Sequence, residues 1–162
     1  MAAARLYCID TSSIIEAWER QFPPDVVKSF WPRLDELIEA GRLIAPEEVR
    51  SELRRPSLRE WAKRRDALFR ELTSAAQQTA VTEAVEHLRA ECRRRGLRLR
   101  PTDFKADPFV VALARVEGAV VVTEELLARE ANARPKIPNL CESFGVRSLG
   151  VLDFTRELRW TF

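Results

Sequence analysis

Apolar positions in this chain fall into two kinds of pattern, short continuous runs and stripes at helical spacing. Leu6-Tyr7-Cys8-Ile9 is a run rich in strand formers that stops at Asp10-Thr11-Ser12-Ser13, all good helix-capping residues. Ile14, Ile15, Trp18 and Phe22 then recur at helical spacing until Pro23-Pro24 breaks the pattern. Asp25 can start the next helix, with Val26, Val27, Phe30, Trp31, Leu34, Leu37 and Ile38 as its stripe; Pro32 implies a kink or two abutting helices. Arg42-Leu43-Ile44-Ala45 is a second strand candidate. Pro46 opens a helix that points Val49 and Leu53 inward, and Pro56 ends it. Leu58, Trp61, Leu68, Phe69 and Leu72 mark another helix, and Val81, Ala84, Val85, Leu88 and Cys92 a long one up to Gly96.

Residues 97–105 read as a basic, proline-containing loop. Asp107-Pro108 then begins Phe109-Val110-Val111-Ala112-Leu113-Ala114, apolar on nearly every side and therefore a buried helix. Gly118 releases it into Ala119-Val120-Val121-Val122-Thr123, the clearest strand, β-branched throughout its centre as a strand covered on both faces should be. Glu124-Glu125 starts a helix, Pro138-Asn139 opens one more, and residues 147–152 form a last strand before Asp153 caps a terminal helix. Gly41, Gly96, Gly118 and Gly145 each follow a helix-like run, where a helix stop places glycine. Strands separated by helices predict a three-layer α/β/α fold around a central, mainly parallel sheet. The expectation is one domain over residues 1–162, with a helical arm at about residues 57–95.

Composition narrows the chemistry. The chain has 162 residues, 46% hydrophobic and 32% charged, so it can build a core and is not of the disordered type. No apolar run reaches the ~18 residues of a membrane span, and the first residues are too weakly apolar for a signal peptide. The expectation is a cytoplasmic protein with no membrane partner. His87 is the one histidine and reads as an exposed or boundary helix position, which leaves no His-rich metal site and no plausible Ser-His-Asp triad. Cys8, Cys92 and Cys141 are odd in number and far apart, small buried hydrophobes rather than zinc ligands or a disulfide framework. No glycine belongs to a phosphate-cradling loop.

The acids are more informative. Asp10 follows the first strand and Glu124-Glu125 the strand at residues 119–123. In a parallel sheet all carboxyl ends share one edge, where ligands bind. Asp107 stands at the start of the helix leading into the later strand, and Glu52 borders the core stripe of its own helix. Each has a plain alternative: a helix cap for Asp107, dipole partners for Glu124 and Glu125, a turn residue for Asp10, a solvated position for Glu52, with Glu48 competing for the same face. Together, carboxylates gathered at one edge without a cation among them would repel each other, and a hard divalent ion would relieve that; oxygen-only ligands favour Mg²⁺ or Mn²⁺.

At these residues the sequence resembles the PIN-domain nucleases, the fold of VapC-type bacterial toxins. The motifs that carry the likeness are Tyr7-Cys8-Ile9-Asp10-Thr11-Ser12, Pro46-Glu47-Glu48-Val49-Arg50-Ser51-Glu52-Leu53, Ala106-Asp107-Pro108-Phe109-Val110-Val111-Ala112-Leu113-Ala114 and Val121-Val122-Thr123-Glu124-Glu125. Lys136-Ile137-Pro138-Asn139-Leu140-Cys141 and Phe144-Gly145-Val146 resemble the family's closing segment, so the likeness runs from about Leu6 to Leu152. It is similar in particular to a bacterial subgroup with a tryptophan-bearing helical stretch, here around Trp31. The resemblance implies that Asp10, Glu52, Asp107 and Glu125 are catalytic and that Asp10, Asp107 and Glu125 hold Mg²⁺ or Mn²⁺. Ser12, Thr123 and Glu124 would support them. The family usually has an aspartate where Glu125 stands, so a water-mediated contact, or Glu124 in its place, is open. The implied activity is metal-dependent hydrolysis of RNA by the toxin of a toxin–antitoxin pair, with RNA, an antitoxin protein and a second copy of the chain as partners. The alternative is a catalytically silent PIN-like module that binds RNA or protein. Phosphotransfer domains fit less well, since Ser12 stands where a haloacid-dehalogenase-type phosphatase needs its second aspartate.

Charge read by position adds one feature. Between residues 50 and 100, 14 Lys and Arg face 7 Asp and Glu, so a +7 segment hides within a net charge of +2. Arg54, Arg55, Lys63, Arg64, Arg94 and Arg98 are candidates for contact with nucleic-acid phosphates, or else a solvated face. Trp61 has a ring that can stack a base, but its spacing with Leu58, Leu68 and Leu72 favours the core.

Overall fold

A computed structural model describes residues 4–100 and 103–162. Residues 1–3, and Pro101 and Thr102 of the basic loop, lie outside the described residues. Five strands form one parallel sheet in the order β3-β2-β1-β4-β5: β1 (Tyr7–Ile9), β2 (Leu43–Pro46), β3 (Phe69–Arg70), β4 (Val120–Val122) and β5 (Ser148–Leu149). Eight α-helices connect them among the described residues: α1 (Thr11–Glu16), α2 (Phe30–Glu39), α3 (Glu47–Glu52), α4 (Pro56–Lys63), α5 (Ala75–Arg94), α6 (Asp107–Glu117), α7 (Ile137–Phe144) and α8 (Val151–Glu157).

Alternation along β1 shows why both faces are covered. The Tyr7 ring meets Phe154 of α8 edge-on at 4.9 Å, whereas Cys8, one residue on, turns its Sγ to the Val110 carbonyl of α6 at 3.7 Å. Every residue of β1, β2 and β4 is buried, which accounts for their unbroken apolar runs. Cys8 sits in register with Ile44 on one side and Val121 on the other. The strand order reverses between β1 and β4, and the crevice beyond their carboxyl ends is where such sheets place a ligand. No helix among the described residues is long and apolar enough to cross a membrane. The three cysteines are buried free thiols.

Several expectations need correction, mostly at prolines and acids. Pro56 opens α4 at its first turn instead of ending α3, because a residue without an N–H is tolerated there. Pro32 likewise lies in the first turn of α2, so it makes no kink, and Asp25 and Val26 stay outside that helix with Val26 exposed. Phe69 is not helical: it forms β3 beside Ala45, so the stretch 57–95 is two helices separated by a strand of the sheet and no continuous arm. Asp153 falls in the first turn of α8, with Gly150 as its cap.

The largest departure is at Glu124-Glu125. Residues 123–136 are irregular, and the two acids start no helix of their own. Their side chains instead reach the first N–H groups of α8 and α7: Glu124 Oε1 accepts from Val151 N at 2.6 Å and Glu125 Oε2 from Ile137 N at 2.9 Å. The dipole argument holds, but for other helices than the local one.

Gly118 illustrates a helix end that needs glycine. It closes α6 at φ 68°, ψ 33° and turns the chain into β4, while a Cβ there would meet nothing within 4 Å. Gly118→Ala is therefore expected to cost about 1 kcal/mol in urea unfolding through backbone strain alone, and Gly118→Asn less.

Candidate functional site

Asp10 leaves β1 and caps α1. It is 2% exposed, and its oxygens accept from Ser13 N at 2.9 Å, from Ser12 Oγ at 2.8 and 2.9 Å, and from Thr123 Oγ1 at 2.7 Å. Burial pushes its carboxyl up to about 6; those donors hold it down, and the charge of Glu125 adds to the rise. Thr123, the first residue of the irregular stretch, donates to Asp10 and accepts from Glu125 N at 3.1 Å. Ser12 accepts from Glu124 N at 3.1 Å while donating to Asp10. Two hydroxyls thus tie the ends of β1 and β4 together around one buried carboxylate.

Glu52 ends α3. Its Oε2 accepts from Thr11 Oγ1 at 2.6 Å and its Oε1 from Ala106 N at 2.7 Å, so it links α1 to the entry of α6. Asp107 is the first residue of α6, not its cap; Ala106 takes that place. Among the described residues no group donates a hydrogen bond to the Asp107 carboxylate. Burial, followed by the charges of Glu125, Asp10 and Glu52, pushes it up to about 8, and Lys136 opposes them.

Asp10, Glu52, Asp107 and Glu125 all line one small cleft of about 200 Å³, together with Ser12, Ala106 and Lys105. Four carboxylates from separate parts of the chain thus converge at the sheet edge. Glu124 is turned away, between Val151 N and Gln21 Nε2 at 3.1 Å. Gly150 makes that turn possible, since a Cβ there would lie 3.1 Å from Glu124 Oε1. Among the described residues no three acidic, histidine or cysteine side chains stand as a finished metal cage, for Asp10, Glu52 and Glu125 are each turned onto protein donors. The donor set is nonetheless all oxygen, hard and crowded with like charge, with Asp107 unpartnered. That chemistry fits Mg²⁺ or Mn²⁺.

The proposed nucleic-acid contacts separate into groups. Arg55 pairs with Glu19 at 3.1 Å, Arg64 with Glu60 at 3.1 Å and Arg94 with Glu91 at 2.6 Å. Arg98 is exposed. Arg54 and Lys63 line clefts on the α3–α4 side, joined there by Arg59 and Lys105, which no sequence pattern sets apart from other surface cations. Trp61 is 6% exposed and meets Trp31 edge-on at 5.5 Å, so it packs in the core. His87 is half-buried at the Phe144 ring, 5.4 Å between centroids.

Asn139 is a further positioning residue beside the cleft. It accepts from Ala128 N at 3.0 Å and Lys136 N at 2.9 Å and donates to the Ala128 carbonyl, so it pins the irregular segment that carries Glu125. In the sequence it is marked by no more than its place one residue after a helix-opening proline.

Comparison with known proteins gives a family and a fold. The family described as "Domain of unknown function (DUF4411)" matches residues 7–162. No curated protein matches. Among solved structures, a chain of the DNA-bound VapBC complex from Salmonella typhimurium is similar at 18% identity with a TM-score of 0.51, covering 90% of this chain and 98% of that one. A chain of VapBC2 from Rickettsia felis, bound to a fragment of promoter DNA, is similar at 16% identity with a TM-score of 0.48, covering 90% and 98%. The five-stranded parallel sheet and its helices have the VapC-like, PIN-like α/β fold.

Proposed function

The chain belongs to the DUF4411 family, and we propose that it is a Mg²⁺- or Mn²⁺-dependent endoribonuclease, the toxin of a toxin–antitoxin pair. The observation that carries this reading is the Asp107 carboxylate, without a hydrogen-bond donor among the described residues and facing three further carboxylates across one cleft. A structural role leaves such a group unexplained, because burying an unpaired carboxylate among like charges only destabilises the fold. Asp10, Asp107 and Glu125 would hold the ion, which when bound would activate a water and neutralise charge on the phosphate. Ser12 and Thr123 fix the Asp10 oxygens, and the N-terminus of α7 fixes Glu125. Glu52, hydrogen-bonded between Thr11 and Ala106, borders the same cleft and would orient the attacking water. The VapBC assemblies pair the similar fold with a second protein, which supports an antitoxin partner for this chain; RNA and a second copy of the chain complete the proposed partners.

The test is cleavage of a labelled single-stranded RNA with EDTA, Mg²⁺ or Mn²⁺. Metal-dependent products that end in 3′-hydroxyls are expected. RNA bound but left intact under every metal condition would replace this reading with that of a silent PIN-like module.

A further inference from the structure

Three clefts on one side of the molecule share walls. The acidic cleft shares Thr11, Ile15, Glu52, Lys105 and Ala106 with a second cleft of about 790 Å³, which also holds Glu48 and Arg54. That one shares Ser51 and Arg54 with a third, of about 800 Å³, walled by Arg50, Arg59, Lys63 and the apolar Leu53 and Pro56. The charge reverses along the way, from four carboxylates at one end to arginine and lysine at the other.

The cations differ in how they are engaged. Arg50 is part of the wall, paired with Glu47 at 2.9 Å and Asp66 at 2.7 Å and lying 4.3 Å over the Phe69 ring. The one carboxylate of the third cleft, Glu60, is taken by Arg64. Arg54, Arg59, Lys63 and Lys105 make no ion pair among the described residues, and all four are exposed. Lys105 is held at φ 49°, a left-handed conformation rare for lysine, at the point where the acidic and middle clefts meet. No residue of α5 lines any of the three clefts.

We propose that these clefts form one track for the sugar–phosphate backbone of a single nucleic-acid strand, which leaves the acidic cleft past Lys105 and Arg54 and is held at its far end by Arg59 and Lys63. Unpaired cations on a concave surface attract a polyanion and release its counterions on binding. The track excludes Arg94 and Arg98 of the basic segment from this role. It rests on the nuclease reading for the position of the reacting phosphate, but binding is measurable without reaction.

The experiment is a fluorescence-anisotropy titration in EDTA of labelled single-stranded RNA, and of DNA of the same sequence, onto the full chain. Arg59→Ala/Lys63→Ala is expected to weaken both about tenfold and to flatten the salt dependence of log K by about 1.4, two phosphate contacts at about 0.7 each on a single strand. Arg94→Ala/Arg98→Ala is expected to leave both unchanged. All four side chains are exposed, so thermal melts serve as the check that the fold is intact. Unchanged binding in the first variant, an equal loss in the second, or tighter binding of a polyglutamate peptide than of either nucleic acid would overturn the track. Where RNA is cleaved, the first variant is expected to raise KM and leave kcat in place. Binding without cleavage in the wild type would remove the nuclease reading and keep the track.

Discussion

Asp107→Asn is expected to remove at least about 100-fold of metal-dependent cleavage while raising the melting temperature of the metal-free protein at pH 8. Opposite signs are what a carboxylate kept for function at the expense of stability requires, and a purely structural carboxylate would not give them. The loss follows from the cleft: asparagine retains the shape of the side chain but is a poor ligand for a hard cation, and losses of two or more orders are usual when an electrostatic group acting on the reacting phosphate goes. The stability gain follows from the fold. Asp107 accepts no hydrogen bond among the described residues, while Glu125, Asp10 and Glu52 all oppose its charge. Removing that charge relieves the repulsion, and no protein donor is orphaned. Asp10→Asn provides the contrast. Its oxygens accept from Ser12, Ser13 and Thr123, so an amide there places an NH₂ against donors and is expected to lower stability as well as activity. If Asp107→Asn melts below the wild type in EDTA and cleaves at the same rate, the carboxylate is a structural group and the metal-centre reading fails.

What could be read from the chain follows the range of the interactions involved. The strands at Tyr7–Ile9 and Val120–Val122 announce themselves because burial on both faces demands continuous apolar residues. The three-layer parallel architecture follows from their alternation with helices, and the convergence of Asp10, Glu52, Asp107 and Glu125 follows from that architecture, since parallel strands place their carboxyl ends together. What stayed hidden depends on partners distant in sequence. Phe69–Arg70 is too short to show a strand pattern and becomes one only by pairing with Ala45 and Pro46. Glu124 and Glu125 look like the first turn of a helix because nothing local says that their carboxylates cap residues 151 and 137. Of these two acids only Glu125 lines the cleft, while Glu124 is held outside it by Gln21 and by the room that Gly150 leaves. Arg59 and Lys105 look like any surface cation until three clefts are seen to adjoin.

Raising the pH is expected to destabilise the metal-free protein and to strengthen its stabilisation by Mg²⁺. For Asp10 and Asp107 the folded state binds a proton more tightly than the unfolded chain does, with values of about 6 and about 8 against 3.8 unfolded. Their contribution is therefore fully present below about pH 4, and is lost as pH rises through about 6 for Asp10 and about 8 for Asp107. Solvent around the half-buried Asp107 trims the energy those shifts would give, leaving about 2 kcal/mol across the window, or about 5 °C of melting temperature for a domain of this size. A cation binds the deprotonated groups, so its stabilisation must grow over the same interval. Melts in EDTA are expected to fall from pH 5.5 to 8.5, those in excess Mg²⁺ to stay level or rise, and Asp107→Asn in EDTA to lose the upper part of the fall. A metal-free melting temperature that rises with pH would mean that the cleft is solvated well enough to hold its charges apart. Mg²⁺ without effect at pH 8.5 would mean that four carboxylates can share this edge without a cation. The pH slope without metal and the metal response at high pH thus report one repulsion from two sides, and neither measurement requires a substrate.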